Sequence, residues 1–443
     1  MMSMRRLLFF VITSWLSGRS KHILNVYYST LTSDSSIYEC SKEAKYNDAA
    51  EMKKEIEEIK LKMKKMKRKS VLDDKEILDI ISYVRNVNPD LVNVCTKQLK
   101  FCKRDVDVLY FIDRDTAVQY VSLIKNDLLK NTCFVAELNP GYGVLTTELL
   151  KVDVPLIHLY EAKKDLYPIL NAIHKMYPGR LDLRNFNLLR ISNLLYKDKL
   201  KGENQVQEIF QGVENKKWED ETSMQIVGAM SSNMFFHHLI QSLLFRNCFM
   251  SHGRPVFYLA VPPSLWHKYS CDISNNKIYT CTKVMFQTMF NYKLLGTLHR
   301  NAFLPWPKQN KKLKHISTRE WAKQDYEQLN VVKVEPKVNL YSQLSQDNWI
   351  TFSYFVRHHM QKRSNRVIPE LEKWIPGCGI RLIAKDYTIF TQFGDLTPAQ
   401  MMELFKEFKS WPEYNESNFL ATMNDLSAHH EFIEFEDNLK IDE

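Results

Sequence analysis

One short stretch, TCFVAELNPGYGVLTTELL at 132–150, constrains the fold more than any other. It opens with an apolar run, passes through Asn139-Pro140-Gly141-Tyr142-Gly143, and continues with Leu145, Leu149 and Leu150 at helical spacing, which reads as strand, tight turn, helix. Glycine is scarce here, 12 of 443 residues, so two glycines bracketing one residue at a strand end carry information. Without a Cβ they let the backbone turn and approach a ligand closely. A G-x-G turn can equally do no more than join two elements, so its meaning depends on the segments downstream of it.

Those downstream segments alternate. PLIHLY at 155–160 is a second apolar run ending in Glu161, and a carboxylate at the tip of a second strand is what a ribose diol needs as an acceptor. AKKDLYPILNAIHKMY then has helical spacing, with Pro168 tolerable in the first turns. LDLRNF at 181–186, ending at Asn187, MQIVG at 224–228 and PVFYLAV at 255–261 supply three more runs. Apolar runs alternating with helical stretches imply an α/β fold with a doubly wound sheet and a ligand at the carboxyl ends of its strands. The polar stretch 197–222 reads as a loop between strands.

With 44% hydrophobic and 26% charged residues the chain can bury a core, which excludes wholesale disorder, and its length allows two domains with extensions. No run of 18 apolar residues exists, so no spanning helix and no membrane role are expected. Eight scattered cysteines without a C-x-x-C argue against a disulfide scaffold or a zinc ribbon.

The net charge of +9 is unevenly placed. Residues 1–30 hold Arg5, Arg6, Arg19 and Lys21 and no acid, the pattern of a mitochondrial presequence; the run Leu7 to Ile12 leaves a secretory signal as the rival. KLKMKKMKRK at 60–69 is either a solvated arm or a contact for nucleic acid or an acidic partner. EFIEFEDNLKIDE closes the chain as an acidic tail. The expected division is therefore a presequence at 1–30, a charged arm and helical extension at 31–104, a sheet domain at 105–307, a basic helical domain at 308–430 and the tail at 431–443.

VAELNPGYGVLT, Glu161, MQIVGAMSSNMFFHHLIQSLLF and FLPWPK at 303–308 together resemble the ribosomal RNA adenine dimethyltransferase family, over roughly 105–430. YFIDRDTAVQYVSLI at 110–124 is similar to that family's first motif: Phe111, Ile112 and Asp113 match, while Tyr110 stands where asparagine is expected. The resemblance implies a Rossmann-like methyltransferase sheet with a smaller helical C-terminal domain, and S-adenosylmethionine across the strand tips. Cofactor contacts would come from Ile112, Glu137, Asn139, Gly141, Gly143, Glu161 and Asn187. Two departures imply weak or vestigial binding: Asn139 replaces a glycine, and Asn187 replaces an aspartate. The family's catalytic asparagine-leucine-proline-tyrosine motif is here Ala229, Met230, Ser231 and Ser232. That motif orients the target adenine's amino group through oxygen acceptors and stacks a ring on the extruded base. Ala229 has no acceptor and Ser232 no ring. Phe235 or Phe236 would have to stack in compensation, against a simpler core role.

Degraded catalysis, a presequence, GRPVFYLAVPPSLWHKY at 253–269 and LGTLHRNAFLPWPK at 295–308 make the chain similar to the mitochondrial transcription factor B lineage, to its second paralogue more than its first. The lineage implies a monomer of the mitochondrial matrix and nucleoid that partners mitochondrial RNA polymerase at promoter DNA. The alternative is an active dimethyltransferase on mitochondrial small-subunit ribosomal RNA. Strand separation needs positive charge and aromatic faces. Lys308, Lys311, Lys312, Lys314 and Arg319 form one basic cluster, and Arg357, Lys362, Arg363 and Arg366, with His358 and His359, form a second after WITFSYF at 349–355. Adjacent residues on a helix point about 100° apart, so neither His237-His238 nor His358-His359 can chelate by itself and no metal is assigned. DLTPAQMMELFKEFKSWPEY at 395–414 predicts a helix capped by Thr397, with Pro398 first and Met401, Leu404, Phe405 and Phe408 on its apolar face.

Overall fold

The computed structural model describes residues 74–92, 107–131, 133–271, 279–307 and 320–429. The expected presequence, the 60–69 arm, the acidic tail and the 308–319 basic cluster lie outside the described residues. The described residues belong to one compact unit.

After helix α1 (Asp74–Val87) the chain enters a short strand β1 (Tyr110–Phe111) and helix α2 (Arg114–Lys130). Next come β2 (Phe134–Leu138), α3 (Val144–Lys151), β3 (Ile157–Tyr160), α4 (Tyr167–Met176), β4 (Leu181–Arg184), α5 (Ile191–Lys201), α6 (Gln205–Ile209), β5 (Met224–Ala229), α7 (Asn233–Phe245) and β6 (Pro255–Val261). Helices α8 (Pro263–Ser270) and α9 (Cys281–Met289) precede β7 (Phe290–His299), β8 (Phe303–Leu304), α10 (Glu320–Gln324) and β9 (Gln328–Pro336). The C-terminal helices are α11 (Leu340–Gln343), α12 (Gln346–His359), α13 (Val367–Glu372), α14 (Gly379–Ile383), α15 (Pro398–Ser410) and α16 (Asn418–His429).

Seven strands make one sheet in the order β4-β3-β2-β5-β6-β9-β7. β2 through β6 pair in parallel, whereas β9 runs antiparallel to both β6 and β7. This is the doubly wound methyltransferase-type sheet that the sequence implies, with the chain reversing its direction of travel across the sheet between β2 and β5. Every residue of β2, β3, β5 and β6 is buried. Burial on both faces explains why these strands read as largely apolar runs instead of alternating ones. Pro168 opens α4 rather than interrupting it, since a first-turn residue has no intrahelical acceptor for its N–H.

Two expectations change. The 197–222 stretch is partly helical, because α5 extends to Lys201 and α6 comes directly after it. The sheet also continues past residue 307: β9 lies in the segment expected to be helical, and it inserts between β6 and β7.

The helical part is built on α12, whose Trp349, Phe352, Phe355 and Val356 are fully buried. Phe355 meets Phe405 at 5.4 Å and Phe408 at 5.6 Å, ring centre to ring centre, so α15 presents the predicted face. The predicted cap is present as well. Thr397 Oγ1 accepts from the Gln400 N–H at 3.1 Å, and Gln400 Oε1 accepts from the Thr397 N–H at 2.9 Å, a reciprocal capping box. α12 also packs against α7 and α9, which joins the helical part to the sheet.

Candidate functional site

The turn after β2 is held by left-handed backbone at three positions: Asn139 (φ 46°), Gly141 (φ 63°) and Gly143 (φ 72°). Asparagine is one of the few side chains that adopts this region readily, because its short amide bonds locally. The loop therefore keeps its shape without the expected glycine. The Asn139 N–H donates to the Tyr160 carbonyl at 3.0 Å, tying the turn to the tip of β3. Its side-chain Nδ2 is buried without a hydrogen-bond partner.

Glu161 sits at that tip, 1% exposed. Its Oε2 accepts from the Gly141 N–H at 3.2 Å and its Oε1 from the Lys163 N–H at 2.8 Å. Burial pushes its carboxyl above the ordinary range, opposed by these backbone donors. Glu137, on β2, is wholly buried and accepts from Thr146 Oγ1 at 2.7 Å. Burial raises it to about 8, with the nearby Glu161 adding to the effect, so it holds its proton at neutral pH.

Tyr110 closes the cradle. A Cβ built on Gly141 would fall 2.3 Å from Tyr110 Cδ1, so the ring occupies the space that the glycine opens over the loop. Lys163 Nζ lies 4.9 Å from the centre of the same ring, a cation–π contact that holds it there. Residues 139–146 are buried throughout. In the sequence Tyr110 registers only as a missing asparagine; its bulk against a glycine is the available signal.

Ile112 and Asn187 serve the fold in this arrangement. Ile112 is fully buried and its N–H donates to the Ala302 carbonyl at 2.9 Å, beside the antiparallel pairing of β1 with β8. Asp113 caps α2, accepting from the Asp115 N–H and from Thr116 Oγ1. Asn187 Oδ1 accepts from the Leu189 N–H at 2.9 Å, which caps the next turn of helix with the oxygen that an adenine amino group would need.

The segment 229–232 ends β5. Ala229, Met230 and Ser232 are each at most 1% exposed. Val108 pairs with Met230 in an antiparallel bridge, and the Ser231 N–H donates to the Asp107 carbonyl at 2.9 Å. Residues 107 and 108 thus lie against the carboxyl end of β5. This contact links positions more than a hundred residues apart, and nothing in the sequence signals it. Phe235 and Phe236 are both buried in the core face of α7, where Phe236 stacks on Tyr269 at 4.6 Å.

The second basic cluster divides. Lys362 and Arg366 are exposed. Arg366 lies 5.5 Å from the centre of the Phe390 ring, an aromatic that is 67% exposed. Arg363 is committed to the fold: its Nη2 donates to the Gly394 carbonyl at 2.8 Å, and its stem lies where a Cβ on Gly394 would be. Arg357, in the last turn of α12, is half-buried.

Comparison with known proteins relates the chain to a family. Residues 110–410 match the family model described as ribosomal RNA adenine dimethylase. "Dimethyladenosine transferase 2, mitochondrial" of Drosophila melanogaster is 30% identical over 375 residues, 75% of this chain and 82% of that protein. Among solved structures, the 23S rRNA methyltransferase ErmE aligns over 68% of this chain and 100% of its own, at 15% identity and a TM-score of 0.44. A dimethyladenosine transferase from Plasmodium falciparum aligns over 67% and 94%, at 11% identity and a TM-score of 0.43. No helix among the described residues is long and apolar enough to cross a membrane.

Proposed function

Because the chain belongs to the ribosomal RNA adenine dimethylase family yet carries Ala-Met-Ser-Ser where the resemblance sets that family's catalytic motif, we propose that it is a mitochondrial transcription initiation factor built on a methyltransferase scaffold. In this reading it works with mitochondrial RNA polymerase at duplex promoter DNA, helping the strands separate at the start. The observation that carries it is the state of residues 229–232. Methylation of an adenine amino group needs oxygen acceptors that aim its lone pair and a ring that holds the extruded base. Ala229 and Met230 offer no side-chain acceptor, Ser232 offers no ring, and Asp107 and Val108 lie against the segment.

The cofactor cradle is vestigial in the same reading. S-adenosylmethionine would bind this cradle weakly or not at all: the Tyr110 ring lies over Gly141, and each Glu161 oxygen already accepts from a backbone N–H, which weakens the carboxylate as an acceptor for a ribose diol. The turn and the acid at the strand tip persist as architecture, tying β2 to β3. For the nucleic acid, exposed Lys362 and Arg366 beside exposed Phe390 supply charge for phosphates and a face for bases, a pairing suited to single strands. The mitochondrial setting is supported by the acid-free, arginine-bearing residues 1–30 and by the name of the Drosophila relative.

A second reading, an active dimethyltransferase of small-subunit ribosomal RNA, draws on the retained loop conformation at 139–143 and on Glu161. Run-off transcription by the mitochondrial polymerase, on a duplex promoter and on the same promoter pre-melted at the start site, tests the proposal. The protein should raise transcript yield at least about tenfold on the duplex and little on the bubble. Absence of stimulation on the duplex would overturn it. Dimethyladenosine formed on unmodified ribosomal RNA from labelled donor would establish the second reading instead.

A further inference from the structure

His359, the last residue of α12, is fully buried, and neither of its ring nitrogens has a hydrogen-bond partner. The ring stacks on Phe393 at 4.5 Å and 5° and meets Phe355 edge-on at 4.6 Å. Burying two polar atoms unsatisfied among aromatic rings is costly, so the position calls for a ligand.

Two further ligating groups converge on it. His358 precedes it, with ring centres 5.1 Å apart, and Glu370 reaches in from α13. One donor atom from each of the three residues lies within 4.8 Å of the others. We propose that His358, His359 and Glu370 form a binding site for a divalent transition-metal ion of the zinc type. Two imidazoles and one carboxylate are an established ligand set for this ion, leaving a fourth position for water. Bonds of about 2.0–2.2 Å require donor atoms about 3.4 Å apart, so the half-buried His358 and Glu370 must turn slightly inward. Glu370 Oε1 now accepts from Lys373 Nζ at 2.6 Å; that ammonium is largely exposed and can release the carboxylate to the ion. The backbone of His359 is already fixed, since Asn365 Nδ2 donates to its carbonyl at 3.1 Å.

The placement gives the ion a structural task. α12 ends at His359 and α13 begins at Val367, and the connection between them carries Lys362, Arg363 and Arg366. An ion held by His358 and His359 on one side and Glu370 on the other clips both ends of this basic loop together. The site stands on its own ligands and does not depend on the role proposed for the whole protein.

Cobalt(II) added to the full chain after stripping with a chelator tests the site directly. Tetrahedral cobalt gives visible ligand-field absorption, and one equivalent should saturate the band, with zinc then displacing it. Glu370→Gln and His358→Asn should each weaken binding by at least about tenfold while the metal-free variants retain the far-ultraviolet circular dichroism of the parent. His359→Ala is avoided because it would open a void in the aromatic core. His237→Asn, on α7, should leave the band unchanged. Absence of the band at micromolar protein and excess cobalt, or parent-like affinity in both ligand variants, would overturn the proposal.

Discussion

Glu137 exposes at the residue scale what this sheet demands of a polar side chain. The group is wholly buried, has one hydroxyl partner in Thr146, and is pushed up to about 8 by burial, whereas in an unfolded chain it would titrate near 4.5. Between those values the folded protein holds a proton that the unfolded chain has released, so the folded state binds more protons and stability falls as pH rises. The slope for one such group is at most about 1.4 kcal/mol per pH unit, and it levels off above about 8. Glu161 is shifted in the same direction and contributes its own slope, so the comparison must be made between two proteins differing only at residue 137. Glu137→Gln cannot ionise and keeps an amide oxygen for Thr146. Urea denaturation from pH 5 to pH 9 should show the variant gaining on the parent up to about pH 8 and no further above it; parallel profiles would mean the carboxyl is ionised in the fold. Asn139 teaches a second lesson about residues. Its replacement of a glycine reads as damage in the sequence, yet its left-handed backbone preserves the turn, whereas the ring packed over Gly141 is that of Tyr110, well upstream on a different strand.

Elements were legible where one local force dominates them. α15 is such a case: its reciprocal cap, its leading proline and its apolar face all appear in the order of the residues, and the structure realises each. Thr397→Ala removes the hydroxyl that accepts from the Gln400 N–H and should cost about 1 kcal/mol in urea titration, whereas Thr397→Ser should restore nearly all of it. An equal loss for serine and alanine would assign the effect to packing of the methyl group instead. The parallel strands β2, β3, β5 and β6 were legible for a related reason, since burial on both faces favours largely apolar runs. β9 was not. QLNVVKVEP comes after a basic stretch, mixes charge with valine, and becomes a strand because β6 and β7 both offer it antiparallel edges. The same limit hid the contact of Asp107 and Val108 with Met230 and Ser231, and the meeting of Glu370 with His358 and His359. Pairings of this kind are decided by tertiary packing, which overrides local pattern.

At the scale of the whole molecule, the net charge of +9 matters less than how much of it is free to meet a polyanion. Among the described residues the second basic cluster contains both kinds of charge. Arg363 is spent on the Gly394 carbonyl and lies 5.7 Å from the Tyr279 ring, so its guanidinium braces the loop between α12 and α13. Lys362 and Arg366 face solvent on that same loop. Each phosphate neutralised on a single strand releases condensed counterions and adds about 0.7 to the steepness of log affinity against log salt. If Lys362 and Arg366 each meet a phosphate, the double variant Lys362→Ala, Arg366→Ala should bind single-stranded DNA more weakly and flatten that slope by about 1.4. Arg363→Ala should differ in kind: it removes a hydrogen bond to the fold and a packed stem, so it lowers resistance to urea. Fluorescence anisotropy of a labelled strand, measured from low to physiological salt, separates the two effects. A double variant with the parent's slope would place the nucleic-acid contacts elsewhere on the chain, and a flattened slope would locate them at the loop between the two helices.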